Sequence, residues 1–182
     1  MFFYNCALGE QKGVAELNGS DNDCQSSSIL LPNLHLSIHP EVKFTNKQKV
    51  SVNKYDSFNL INVNFLNIDT QGYELMVLLG SINSLRNNVE YIICEVNKLE
   101  LYENCPLVRD IDSFLTKFGF IRTDTYCWQD SYPWGDAFYI KKNNLNLGRI
   151  LFSKLKNYIY SYEFLFPIII TCRNFVWKLF GK

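Results

Sequence analysis

The sequence predicts an α/β fold, and three observations predict it. Val63, Phe65, Leu66 and Ile68 form a short apolar run bounded by polar residues, the pattern of a strand buried on both faces of a parallel sheet. The run ends on Asp69. Gly72 then allows a close turn into a segment whose Leu75, Leu78 and Leu79 recur at helical spacing until Gly80 stops it. A second apolar run, residues 89–96, also carries an acid near its end, Glu95. Ligands of open α/β sheets sit beyond the carboxyl ends of the strands, so Asp69 lies where a ligand would be.

Taken in order, residues 2–8 make a strand-like run and Gly9 to Gly13 a turn before residues 14–17, which reads as a hairpin. Residues 19–28 lack an apolar period and form a loop whose hydroxyl and amide side chains suit either solvent or a ligand. His35 and His39 stand four apart before Pro40, but no nearby acid completes a metal-ligand spacing. They read as surface or loop histidines, and no metal is expected. Val50, Val52 and Tyr55 alternate with polar residues in a strand ending near Asp56. After the central unit, Val108, Ile111, Leu115 and Phe118 mark an amphipathic helix that Gly119 ends. Residues 120–121 restart an extended segment, residues 130–135 turn, and residues 136–141 form a last strand, so the sheet finishes with an antiparallel pair. Tyr126, Trp128, Tyr132 and Trp134 cluster about that turn, where they either stack on a flat substrate or pack under the loop.

The chain is about one domain long, with 182 residues, of which 1–144 form the α/β unit and 145–182 a tail. Its 18 basic and 18 acidic side chains argue against a nucleic-acid partner, which would require a concentrated basic surface. Six scattered cysteines without a C-x-x-C pair, behind an N-terminus that lacks a signal-like charged and apolar region, suggest reduced thiols and a cytoplasmic location. The tail differs in character. Six basic residues face a single acid, Glu163, and aromatic residues interleave with them. Its longest apolar run, residues 164–170, is interrupted by Pro167 and far shorter than the ~20 residues that span a bilayer. Such a helical tail either makes a peripheral contact with an anionic membrane or lays its apolar face over the sheet.

Asp69 and Glu95 close consecutive strands at one edge of the sheet, and paired acids there suit proton removal, metal coordination or hydrogen bonding to a polar ligand. Glu74 stands in the first helical turn, where the dipole favours an acid with or without a further role.

The chain resembles the FkbM family of S-adenosylmethionine-dependent methyltransferases. The likeness rests on Ile68-Asp69-Thr70-Gln71-Gly72-Tyr73-Glu74 with Val77-Leu78 and Gly80, on residues 93–96 with Tyr102 after them, on Phe114-Leu115 with Gly119-Phe120, and on residues 5–8 and 26–28. The resemblance implies the class I methyltransferase sheet, Rossmann-like, with strand order 3-2-1-4-5-7-6 and strand 7 antiparallel. It places residues 2–8 as the third strand of that order, residues 63–68 as the fourth and residues 89–96 as the fifth. It also implies S-adenosylmethionine as cofactor and a small-molecule or glycan acceptor, a sugar or secondary-metabolite hydroxyl being O-methylated. Asp69, Glu74 and Glu95 would be catalytic, and Ala7, Leu8, Asp69, Gln71 and Gly72 would bind the cofactor. The glycine-rich unit that holds the cofactor's methionine in this family has no counterpart before Asn5, so the domain reads as N-terminally truncated. Two readings follow: a methyltransferase, or a non-catalytic remnant of the same fold serving as a membrane-associated interaction module. An apolar strand without its neighbour is an aggregation hazard. The expectation is therefore that residues 2–8 move in beside residues 63–68, or that the tail or another chain covers that edge.

Overall fold

The computed structural model describes residues 3–127 and 132–161. Two sheets carry the chain. The smaller holds β1 (Ala7–Leu8), β2 (Gly13–Ser20) and β3 (Phe44–Asn53) in the order β1-β3-β2, with β1 parallel and β2 antiparallel to β3. A short helix, α1 (His35–Ile38), lies between β2 and β3. The larger holds β4 (Phe65–Ile68), β5 (Tyr91–Asn97), β6 (Phe120–Tyr126) and β7 (Trp134–Lys141) in the order β4-β5-β7-β6. β4 and β5 are parallel, and β7 is antiparallel to both of its neighbours. This is the 4-5-7-6 half of a methyltransferase-like sheet, with the expected antiparallel insertion.

Helices α2 (Glu74–Leu79), α3 (Ile82–Asn87) and α4 (Val108–Thr116) cover one face of the larger sheet. Alternation along the strands decides which residues meet them. Leu66, Ile68, Ile92, Cys94, Val96, Ala137 and Tyr139 point to the helices and join Val77, Leu78, Leu85, Ile111 and Leu115 in one core. The intervening residues, Glu95 and Asp136 among them, face the opposite side.

Several expectations are corrected. Residues 2–8 and 14–17 do not form a hairpin, because β3 lies between β1 and β2. β4 is an edge strand, not an interior one: Phe65 and Asn67 are exposed, and among the described residues only β5 pairs with it. Nor does the N-terminal strand move in beside β4, since β1 belongs to the other sheet. The tail's described part is helix α5 (Leu147–Ser161), and it packs on β6, at the far edge from β4. Residues 81–88 include helix α3. Trp128 and the tail beyond Ser161 lie outside the described residues. Cys6, Cys24, Cys94 and Cys105 are free thiols.

Candidate functional site at the carboxyl ends of β4 and β5

The site is built by a row of acids across three strands. Ile68 is in register with Cys94, so Asp69, the next residue, stands level with Glu95, and Glu95 is paired with Asp136 on β7. The period of two turns the side chains of this row away from the helices. Asp69 is exposed and Glu95 buried. Burial raises the Glu95 carboxyl well above the usual range, and the charges on Glu74, Asp69 and Asp136 push in the same direction. Burial and the nearby Asp69 charge raise Asp136 as well.

Gln71 joins the two strand-end acids. Its Nε2 donates to Asp69 Oδ1 at 2.7 Å and to Glu95 Oε2 at 3.1 Å. Its Oε1 accepts from the Tyr102 hydroxyl at 3.0 Å, and its carbonyl accepts from Ser28 Oγ at 2.7 Å. These partners set the amide's orientation, since only the NH2 end can donate to carboxylates. Reaching all of them takes a left-handed backbone, φ 54° at Gln71 and 92° at Gly72. A Cβ at Gly72 would stand 2.9 Å from that of Cys105 and 3.2 Å from that of Tyr102, so this turn needs glycine for space as well as conformation.

Glu74 holds the turn from inside. Its Oε1 accepts from the Thr70 and Gly72 N–H groups, each at 3.0 Å, and from Thr70 Oγ1 at 3.2 Å. Burial raises its carboxyl, and these hydrogen bonds oppose the rise. Oxygens of Asp69, Glu74 and Glu95 lie within 4.8 Å of one another, a spacing that a cation could use. Two features weigh against it: Glu74 Oε1 is spent on the loop, and the Gln71 amide sits between the other two acids.

A second layer surrounds Gln71. The Tyr102 hydroxyl, 2.9 Å from the Ser26 carbonyl, shares its proton between that oxygen and Gln71. His35 is buried, not at the surface as its sequence suggested, and its Nε2 is 3.0 Å from Ser26 Oγ. Burial and the neighbouring His39 lower its pKa, which keeps the ring neutral. Asn97, two residues past Glu95 on the same face, is fully buried, and its amide lacks a hydrogen-bond partner among the described residues. Ala7 and Leu8 stand in the smaller sheet in register with Val52 and Asn53, with Leu8 against the main core. Cavities of about 150 Å³, lined by Asp112, Arg122 and Lys154 among others, and about 260 Å³, lined by Val14, Val52 and Tyr73 among others, lie away from Asp69.

Asp136 and Asn97 escaped sequence reasoning. The signal for Asp136 was present, since an antiparallel last strand was expected, but its register against Glu95 is a long-range property.

A half-sheet of order 4-5-7-6 with acids at its strand tips defines a methyltransferase-like α/β domain. The chain belongs to the FkbM methyltransferase family: the family model described as "Methyltransferase FkbM domain" matches residues 2–122. No curated protein matches the chain, and no solved structure does.

Proposed function

We propose that this domain transfers a methyl group from S-adenosylmethionine to a hydroxyl oxygen of a sugar or secondary-metabolite acceptor. The observation that carries the reading is the row of Asp69, Glu95 and Asp136 along one sheet edge, where the carboxyl ends of β4 and β5 meet the amino end of antiparallel β7, inside a chain of the FkbM family. The donor set fits the cofactor's charge: Glu95 and Asp136, raised by burial and further by neighbouring acids, are relieved by a sulfonium cation nearby.

S-adenosylmethionine, when bound, supplies an electrophilic methyl on sulfur. The chain's own residues align the acceptor and manage its proton. Asp69, exposed at the strand tip, holds the acceptor hydroxyl and takes its proton. Gln71 fixes the Asp69 carboxylate through the 2.7 Å hydrogen bond. Burial holds the Glu95 carboxyl well above the usual range, which leaves the exposed Asp69 as the acid placed to meet the acceptor. Glu74 acts as a positioning residue through the Thr70–Gly72 turn. Ala7, Leu8 and Gly72 contribute to the nucleoside side.

Calorimetry with S-adenosylmethionine on residues 1–182 tests the reading. Micromolar binding that Asp69→Asn weakens supports it. Undetectable binding overturns it in favour of a non-catalytic module of the same fold, a rival favoured by the positions of the two cavities away from Asp69.

A further inference from the structure

Helix α5 is packed with its polar side inward. Ser153 is buried, and Asn157 Nδ2 donates to the Arg122 carbonyl. Lys156 pairs with Asp124, which completes the attachment to β6. Ile150 is half-buried on that side, but four apolar residues point the other way: Leu147, Leu151, Phe152 and Leu155 are between 59 and 70% exposed. At about 100° per residue these four span an arc of roughly 140° on the side opposite Ser153. Exposed Arg149 and Lys154 flank that arc on either side. An amphipathic helix that closes a core does the reverse, so this stripe is not explained by packing within the domain.

Charge selects the occupant. Leu147–Ser161 contains Arg149, Lys154 and Lys156 and no acid. The sequence that follows keeps this composition, with Arg173, Lys178 and Lys182 against Glu163, and adds Phe and Trp. A leucine stripe edged by cations matches an anionic lipid surface, whose headgroups attract the rim while its acyl boundary takes the leucines. No helix among the described residues is long and apolar enough to cross a membrane. We propose that α5 seats the protein on an anionic bilayer, lying in the interface with Leu147, Leu151, Phe152 and Leu155 inserted and Arg149 and Lys154 against lipid phosphates.

The test is flotation of the full chain with vesicles of phosphatidylcholine containing roughly one third phosphatidylglycerol, and with phosphatidylcholine alone. The anionic vesicles are expected to carry the protein, less so as salt rises. The double variant L151E/L155E should lower binding by at least about tenfold. Its thermal midpoint should match that of the wild type, because both side chains are exposed. The charge variant R149E/K154E should weaken binding to the anionic vesicles specifically. Absence of flotation, or equal flotation of the leucine variant, overturns the proposal. A drop in the variant's thermal midpoint means that the chain's own residues cover the stripe, and overturns it too. A vesicle-free dimer in ultracentrifugation that L151E/L155E abolishes assigns the stripe to a second copy instead. None of these outcomes depends on S-adenosylmethionine binding, so this inference and the catalytic one fail separately.

Discussion

Gln71 and Glu95 show how one buried contact shapes the titration of the site. The Gln71 amide donates to Glu95 Oε2, which favours the ionised carboxyl, yet burial and three neighbouring acids outweigh it and the carboxyl is raised. An acid that holds its proton more tightly folded than unfolded contributes fully below the ordinary glutamate range. That contribution is lost as pH rises through this range towards the raised folded value. Urea midpoints measured from acid to slightly basic pH should therefore fall through that window in the wild type, with one such group contributing a slope of at most about 1.4 kcal/mol per pH unit. Glu95→Gln should flatten the curve, leaving the slope due to Glu74 and Asp136, which shift in the same direction. Parallel curves for variant and wild type would show that Glu95 does not titrate this way. Backbone conformation governs the neighbouring residue. Gly72→Ala forces a side chain into φ 92° and towards Cys105, so it should cost roughly 1–3 kcal/mol in chemical denaturation. It should weaken S-adenosylmethionine binding with it, and a variant that binds normally would detach the turn from the site.

Elements meet through a second buried charge, away from the acids. Arg122 on β6 is almost fully buried, and its Nε and Nη2 donate to Asp112 Oδ1 and Oδ2 on α4 at 2.9 and 2.8 Å. The Tyr139 hydroxyl on β7 donates to Asp112 Oδ1 at 2.9 Å, so one carboxylate ties a helix to two strands. Asp112→Ala removes the carboxylate that pairs with the buried guanidinium, and breaking a buried ion pair costs about 3–5 kcal/mol. Thermal unfolding should register it; a change under 1 kcal/mol, roughly, would mean that the guanidinium reaches solvent. This triad was invisible in the sequence, because it depends on how α4 packs against β6 and β7. Local patterns were legible by contrast. The Asp69–Gly72–Glu74 unit, the stop at Gly80 and the α4 stripe depend on residues a few positions apart, so spacing alone conveys them. Whether β4 lies inside or at an edge depends on which strand pairs with it. An apolar run such as Phe65-Leu66 cannot carry that information. The same reason hid β3 between β1 and β2, and Asp136 beside Glu95.

At the scale of the whole molecule, two sheets without a shared strand must be joined by side chains and loops. One joint is steric. The Gly9 carbonyl oxygen, just past β1, stands 2.1 Å from where a Cβ on Gly80 would lie, so the end of α2 meets the smaller sheet backbone to backbone. A further joint is Tyr102, which is fully buried, with its ring 5.4 Å from that of His35 and its hydroxyl shared between Ser26 and Gln71. Backbone bonds reinforce it: Asn33 and His35 N–H groups donate to the Leu101 carbonyl, and Glu103 N–H donates to that of Leu31. The loop after β2 is thereby held over the acids by the phenolic oxygen together with these backbone bonds and the Ser28–Gln71 hydrogen bond. Tyr102→Phe keeps the packing and removes that oxygen, which should cost about 1–2 kcal/mol because the Ser26 carbonyl and Gln71 Oε1 lose a buried donor. The loss should be local. Hydrogen exchange is expected to speed up at the amides of residues 26–28 and of Gln71 and Gly72, while β5 and β7 keep their protection. If protection falls evenly through both sheets, the hydroxyl supports the fold as a whole and not the closure of the loop over Asp69 and Glu95. If exchange is unchanged, the joint rests on the ring and the backbone ladder alone.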